Sequence, residues 1–514
     1  MLQRSGSVRH AAIFCLVGLA AAASSCSSST GVTGGTSASV APGTTVTGST
    51  NGTGTTLPAG HITWQPNADN PRVETGHLRV PADYQHPSQG TFDLYVVRHL
   101  ADPSQRIGSL LVNPGGPGFG GTDLAVQAEG IYSRTLVDHF DIVAWDPRGT
   151  GESAPAIDCI SDYDHFFNTS DITPDTPAEH QQIVDLAKEF AGDCVKKNPM
   201  MGFTGTNNSA RDMDRIRAAL GEDRISYFGF SYGSELGATW VTLFPHTVRA
   251  AVLDGAVDPT ADLIDSNLQQ SAGFEHSLTT FLAKCSADTS CVFHNDGRAE
   301  AAFDALMLQI DDHPMKVAGN RPPVTRGVAL NAVGQAMYSD SMWPQLAQAL
   351  ADAQHGDAAG LLALSDEYFR RNPNGTWDNS LEAFQVITCE DTVDRPTVAQ
   401  DDADSAKFRA VAPRFSPSTV GSYFCTFFPP PIDPRVTITG KGAGPVVVVG
   451  TTGDPATPLT GTKKMADTLE DGHLVIVNAN QHTGYGVDTC AGNKVDQYLI
   501  DPTGHVPADG TRCN

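Results

Sequence analysis

Basic residues are scarce: 33 Lys and Arg stand against 58 Asp and Glu, for a formal net charge of −25. So acidic a chain repels nucleic acid and anionic lipid, and neither is expected as a ligand of its body. The ten cysteines contain no Cys-x-x-Cys pair, and neither they nor the 16 histidines fall at metal-ligand spacing. That argues against a zinc site. No Gly-x-Gly-x-x-Gly and no Walker lysine occurs, so the glycine-rich stretches do not read as phosphate loops. No internal repeat is present, which argues against a solenoid or propeller. The apolar run Ala11–Ala23 is too short to span a bilayer as a stable helix.

What remains is ample for a folded enzyme. The chain has 514 residues, 40% of them hydrophobic and 18% charged. That supports a large core and excludes global disorder. The first residues read as an export signal: Arg4 and Arg9 precede the apolar run, and Ser24-Ser25-Cys26 follows it. Two readings stand. Cys26 is a lipidation site in a lipobox-like context, or a signal peptidase cuts near Ala21-Ala22-Ala23 and frees the protein. Membrane contact is expected only through that anchor. Residues 27–60 are rich in Ser, Thr, Gly, Ala, Val and Pro, and read as a flexible tether.

Setting aside Cys15 and Cys26 leaves eight cysteines, an even number in an exported chain, which points to disulfides. Sequence does not fix their connectivity. Proximity suggests Cys159–Cys194, Cys285–Cys291, Cys389–Cys425 and Cys490–Cys513.

Short apolar runs recur between turn signals. Phe92–His99, Ile107–Asn113, Ile142–Trp145, Ile225–Phe230, Val248–Leu253, Val446–Val449 and Leu474–Val477 read as strands. Asp212–Leu220 and Glu235–Leu243 read as helices between them. Alternating strands and helices predict a mostly parallel sheet. Residues 259–435 differ, being mostly helical in pattern at Ala301–Ile310, Trp343–Ala353 and Ala358–Arg370. The expected organisation is therefore an export segment over 1–26, the tether over 27–60, a first core segment over 61–258, a helical lid over 259–435, and the core completed by 436–514. Ser153–Met201 reads as a smaller excursion.

Gly229-Phe230-Ser231-Tyr232-Gly233 follows a predicted strand and precedes a predicted helix. This is the Gly-x-Ser-x-Gly elbow, in which a tight turn exposes the serine hydroxyl and the flanking glycines avoid collision. Ser231 is the candidate nucleophile. A serine here, not an aspartate, argues against dehalogenase and epoxide-hydrolase chemistry. Asn113-Pro114-Gly115-Gly116-Pro117-Gly118 also follows a strand, and its backbone can approach a substrate closely. Backbone N–H groups near Gly116 and at Tyr232 are candidates for an oxyanion hole, where one donor is commonly worth about 3–4 kcal/mol. Enzymes with such an elbow order their residues as serine, acid, histidine. Asp454 ends a turn after Val446–Val449, and His482 lies in a loop after Leu474–Val477. They are the candidate acid and base. Asp254 also follows a strand and is the rival acid, with Asp258 a weaker one.

These motifs together, with Phe140–Ser153 and Gly453–Pro458, resemble the tripeptidyl-aminopeptidase branch of the proline-iminopeptidase-like α/β-hydrolases. That branch includes secreted Streptomyces enzymes and mycobacterial cell-envelope serine hydrolases. The resemblance runs from about Ile62 to Cys490. It implies the α/β-hydrolase fold, a mostly parallel sheet with an inserted, mostly helical lid. It further implies no cofactor, a peptide or protein substrate, and cleavage of short peptides from free N-termini. A monomer is expected. An aminopeptidase needs a carboxylate for the substrate ammonium. Glu390 and Asp391, in a region similar to the family's, are the candidates, with Glu235 a third. Asp146 and Arg148 are expected to hold a loop beside the site. Asn113-Pro114 stands where single-residue proline iminopeptidases carry a histidine, which argues against strict proline specificity. The lid shows no long apolar stripe, which favours peptides over the rival class of lipid esters.

Overall fold

Strands of nearly unbroken apolar composition belong in a sheet covered on both faces. The computed structural model, which describes residues 60–169, 172–416 and 423–514, places them there. The export segment, Cys26 and the tether up to residue 59 lie outside the described residues. The strands are β1 (Gln65–Pro66), β2 (Val73–Pro81), β3 (Thr91–His99), β4 (Gly108–Asn113), β5 (Phe140–Trp145), β6 (Ile225–Phe230), β7 (Val248–Asp254), β8 (Val446–Thr451), β9 (Gly472–Val477) and β10 (Thr511–Cys513). They form one sheet in the order β1-β2-β3-β5-β4-β6-β7-β8-β9-β10. Pairing is antiparallel from β1 to β5 and parallel from β5 to β10.

Side chains alternate between the two faces, as the pleat requires. Leu111, Val143, Tyr227, Leu253 and Val448 join the core on one face. Leu110, Val112, Phe228, Val252 and Val447 join the core on the other. Helices Thr206–Ala219, Tyr232–Leu243 and Leu459–Thr468 cover the first face, and Thr489–Ile500 helps to cover the second.

The strand order creates the site. After β4 the chain turns back to β5 on one side; after β6 it moves on to β7 on the other. The loops leaving adjacent β4 and β6 therefore diverge, and a crevice opens at their carboxyl ends. Open α/β sheets bind ligands at such a switch point. Here the two loops are Asn113–Gly118 and the Ser231 elbow.

Between β7 and β8 lie helices Leu263–Ala287, Ala299–Asp312, Arg326–Met337, Trp343–Gln354 and Ala359–Tyr368. They share a separate core that includes Leu278, Phe281, Phe303, Val333, Leu346 and Leu350. Helices Ser380–Asp391 and Val398–Val411 follow. Among the described residues no helix is long and apolar enough to cross a membrane. The structure joins all four cysteine pairs that proximity suggested: Cys159–Cys194, Cys285–Cys291, Cys389–Cys425 and Cys490–Cys513. The first ties helix Pro177–Lys197 to the segment that follows β5. The third ties helix Ser380–Asp391 to the segment before β8.

Arg148 is fully buried beside an equally buried Asp212. Its Nε and Nη2 donate to the two Asp212 oxygens at 2.7 and 2.6 Å. Nη1 donates to the carbonyls of Ala82 and Phe203 at 2.9 and 3.0 Å. The guanidinium thus fastens the loop after β5 to the helix before β6. Arg148→Leu strands the Asp212 carboxylate in the core, a loss of about 3–5 kcal/mol for a broken buried pair. A matching fall in the thermal unfolding midpoint checks it; an unchanged midpoint refutes it.

Candidate active site

The elbow is strained. Ser231 has φ 56° and ψ −128°, a conformation rare for a side-chain-bearing residue, which costs about 1–3 kcal/mol and persists only where neighbours hold it. Its N–H donates to the Asp254 carbonyl at 2.8 Å, and its own carbonyl accepts from Ser234 N at 2.8 Å. Glycine at 229 is a steric demand, since a Cβ there would lie 2.2 Å from the Gly233 carbonyl oxygen.

The loop after β4 rests on this elbow. At Gly115, φ is +98°, and a Cβ would lie 2.8 Å from Ser231 Cβ and 3.0 Å from Tyr232 N. Asn113 Oδ1 accepts Gly115 N–H at 2.9 Å and so sets the path into Gly116. The loop that carries Gly116 and the amide of Tyr232 are therefore brought together beside Ser231.

The loops after β8 and β9 meet over the next strand ends. His482 Nδ1 lies 2.9 Å from each Asp454 oxygen. Asp454 also accepts from Ala456 N, Thr457 N, Thr457 Oγ1 and Thr483 N at 3.0, 2.8, 3.0 and 3.2 Å. So many donors fix the carboxylate in place. A proton on Nδ1, donated to Asp454, leaves Nε2 as the acceptor, the tautomer a general base requires. The imidazole is 1% exposed. A Cβ at Gly255 would come within 3.1 Å of its Cε1, so the backbone next to the Ser231 anchor also walls the imidazole.

Sequence reading missed several contributors. Thr457 Oγ1 lies 3.2 Å from His482 Nδ1 while bonding Asp454, so it touches both candidate residues. Its place three residues after an aspartate is a turn-forming signal that was there to find. The lid also reaches His482, whose N donates to the Tyr338 carbonyl at 2.9 Å, and the Tyr338 ring lies 5.6 Å from the imidazole. Ser339 and Gln481 form an isolated antiparallel bridge. At the other end, helix Ser380–Asp391 packs on the loop after β4 so closely that a Cβ at Gly118 would fall 2.3 Å from Phe384 N.

The three candidate amine-binding carboxylates fare differently. Asp391 spends both oxygens on Thr206, accepting from its N and Oγ1 at 2.6 Å each. Thr206 Oγ1 in turn meets the Tyr232 hydroxyl. Glu235 is paired with Arg435 and is not open. Glu390 is 2% exposed, and among the described residues its Oε2 has no hydrogen-bond partner. Burial pushes its carboxyl up to about 7, with Arg395 and a hydrogen bond from the Ile432 backbone opposing and Asp391 adding to the rise. The pair is thus split: Asp391 anchors a helix start, and Glu390 keeps an acceptor in reserve. Of the rival acids, Asp254 holds the histidine loop instead, accepting Gly484 N and Tyr485 N at 2.7 Å each. Asp258 caps a turn through Thr260.

A family model described as the alpha/beta hydrolase fold matches residues 108–488. The chain belongs to the α/β-hydrolase family. It is 35% identical to serine protease Hip1 of Mycobacterium tuberculosis over 480 residues, covering 88% of this chain and 91% of that one. It is 34% identical to carboxylesterase B of the same species over 467 residues, covering 87% and 88%. It is 30% identical to the tripeptidyl aminopeptidase of Streptomyces lividans over 456 residues, covering 86% and 83%. This α/β-hydrolase is accordingly a serine hydrolase, and its relatives include both proteases and an esterase.

Proposed function

We propose that this hydrolase is an exported serine exopeptidase that releases short peptides from free N-termini, with Ser231, His482 and Asp454 as its catalytic triad. The observation that carries the reading is the double contact of Asp454 with His482 Nδ1 beside the strained Ser231 elbow. His482 Nε2 takes the Ser231 Oγ proton as Oγ attacks the scissile carbonyl. The carbonyl π pair moves to oxygen, where backbone N–H groups near Gly116 and at Tyr232 receive it. The pair returns, the C–N bond breaks, and His482 gives its proton to the departing amine. Water repeats the steps on the acyl-enzyme, releasing the peptide acid and restoring Ser231.

The exopeptidase part rests on the acidic end of the lid helix. It lies one tyrosine side chain and one threonine hydroxyl from the elbow. An extended tripeptide spans about 10 Å, a comparable reach. An ammonium arriving there supplies Glu390 Oε2 with the donor it lacks, and the ion pair keeps the carboxylate charged.

Acetylating the substrate N-terminus should abolish cleavage. Glu390→Gln should lower kcat/KM for free-amine peptides about 10- to 100-fold, as expected for a charge-assisted hydrogen bond. Peptide-library digestion read by mass spectrometry, with Ser231→Ala as the blank, measures both. Equal cleavage of acetylated peptides would instead favour endopeptidase or esterase action. Export through Cys26 belongs to the same proposal, and an acyl-bearing peptide beginning at Cys26 would support it.

A further inference from the structure

Asp254 ends β7 and connects the two halves of the site. Its main-chain carbonyl accepts the Ser231 N–H at 2.8 Å. Its carboxylate oxygens accept the N–H groups of Gly484 and Tyr485, both at 2.7 Å and both within three residues of His482. The next N–H, from Gly255, donates to the Val449 carbonyl in β8 at 2.9 Å, which fixes residue 254 against the strand that leads to Asp454. Asp254 is fully buried. No other described side chain bonds both amides of the histidine loop.

We infer that Asp254 is a positioning residue: its carboxylate sets the His482 loop at the distance and angle the Ser231 elbow requires. It does not replace Asp454, because its oxygens are already engaged by the two loop amides. Burying a carboxylate without a cation is unfavourable, so this one is retained against the core's preference. Two short N–H donors are what make its charge tolerable.

The arrangement has a consequence for pH. Two N–H donors need two acceptors, which only the ionised carboxylate supplies. A protonated Asp254 points a hydroxyl at one of the amides and releases it. Burial drives the Asp254 carboxyl up to about 7, while the two amides and the His482 ring pull it down and Asp454 pushes it further up. His482 and Asp454, from the loops after β9 and β8, are the ionisable groups facing it. As pH falls through about 7, the histidine loop loses a fastening.

Asp254→Asn tests this, because asparagine offers one acceptor and opposes the second amide with its own N–H. With an activated ester, which reports Ser231 chemistry whatever the natural substrate, kcat near pH 8 should fall about 10- to 100-fold with KM little changed. The ratio of wild-type to variant kcat should then shrink toward one as pH is lowered to about 6, because the wild type itself becomes protonated there. A folded variant with unchanged kcat, or a ratio constant across that range, overturns the assignment. If the variant does not fold, the wild type carries the test. Hydrogen exchange at Gly484 and Tyr485, corrected for intrinsic rate, should quicken between about pH 8 and 6, and unchanged protection overturns the proposal. Failure of the exopeptidase reading would leave every one of these outcomes readable.

Discussion

Replacing Ser231 by alanine should remove about 10⁶ of kcat, and adding His482→Ala should cost almost nothing more. The reason is that the two groups act as one device. Without Oγ there is nothing for His482 Nε2 to deprotonate, and without the imidazole the Ser231 hydroxyl is a weak nucleophile. The residual rate should still exceed that in water, because the loop bearing Gly116 and the Tyr232 amide remain in place for the oxyanion. Fold should survive the change. The hydrogen bonds that hold residue 231 come from its backbone, to Asp254 O and from Ser234 N, and alanine keeps both. Alanine faces the same penalty at φ 56° as serine does. Steady-state kinetics of the single and double variants, on peptide and on activated ester, check the prediction. Independent, multiplying losses would mean that a different nucleophile is at work. So would fluorophosphonate labelling that survives Ser231→Ala.

How much of this was legible before the structure differs by element. β6 is found at the bounds the pattern gave, Ile225–Phe230, because a buried apolar strand ending in two spaced glycines has few other readings. Helix Arg326–Met337 went unread for the opposite reason. It is buried on nearly every side, from Gly327 to Met337, so it has no polar face to create a period of 3.6. β2 was missed although Glu74, His77 and Arg79 alternate with buried residues, because Gly76 and Pro81 interrupt the run. β10 is three residues long and exists by pairing with β9, which no local pattern announces.

The site divides the same way. Ser231, Asp454 and His482 could be chosen by their place after strands. Asp254 follows a strand equally well, and only its bonds to the Gly484 and Tyr485 amides set its surroundings apart from those of Asp454. The contact of Tyr338 with His482 joins segments 144 residues apart across the lid boundary, as the chain positions show. The division of labour between Glu390 and Asp391 depends on Thr206, a residue that only folding brings near.

Asp454→Asn should lower kcat about 10⁴-fold while leaving the fold nearly intact, the effect expected when the acid behind a catalytic imidazole is neutralised. The hydrogen-bond inventory explains the size. Asp454 presents oxygens to His482 Nδ1, Ala456 N, Thr457 N, Thr457 Oγ1 and Thr483 N, all donors. Asparagine has one oxygen and one NH₂ for these positions. If the oxygen stays on the Ala456 and Thr457 amides, the NH₂ faces the imidazole. Nδ1 must then accept, the proton moves to Nε2, and the ring can no longer take one from Ser231. If the side chain flips to serve the imidazole, the turn at residues 456–457 loses its acceptor, and Thr457, which touches both groups, is displaced with it. Either way the imidazolium formed in the transition state loses its counter-charge in a site sealed from water, where that charge counts most. KM should move little, since Asp454 lies behind the ring and away from bound peptide. Above neutral pH the variant should recover part of its rate as hydroxide assumes the base's role. Asp254→Asn, by contrast, should lose its handicap on the acid side. A pH profile of kcat for both variants therefore separates the acid that orients the base from the one that holds its loop. Near-normal turnover by Asp454→Asn would transfer the acid's role to Asp254.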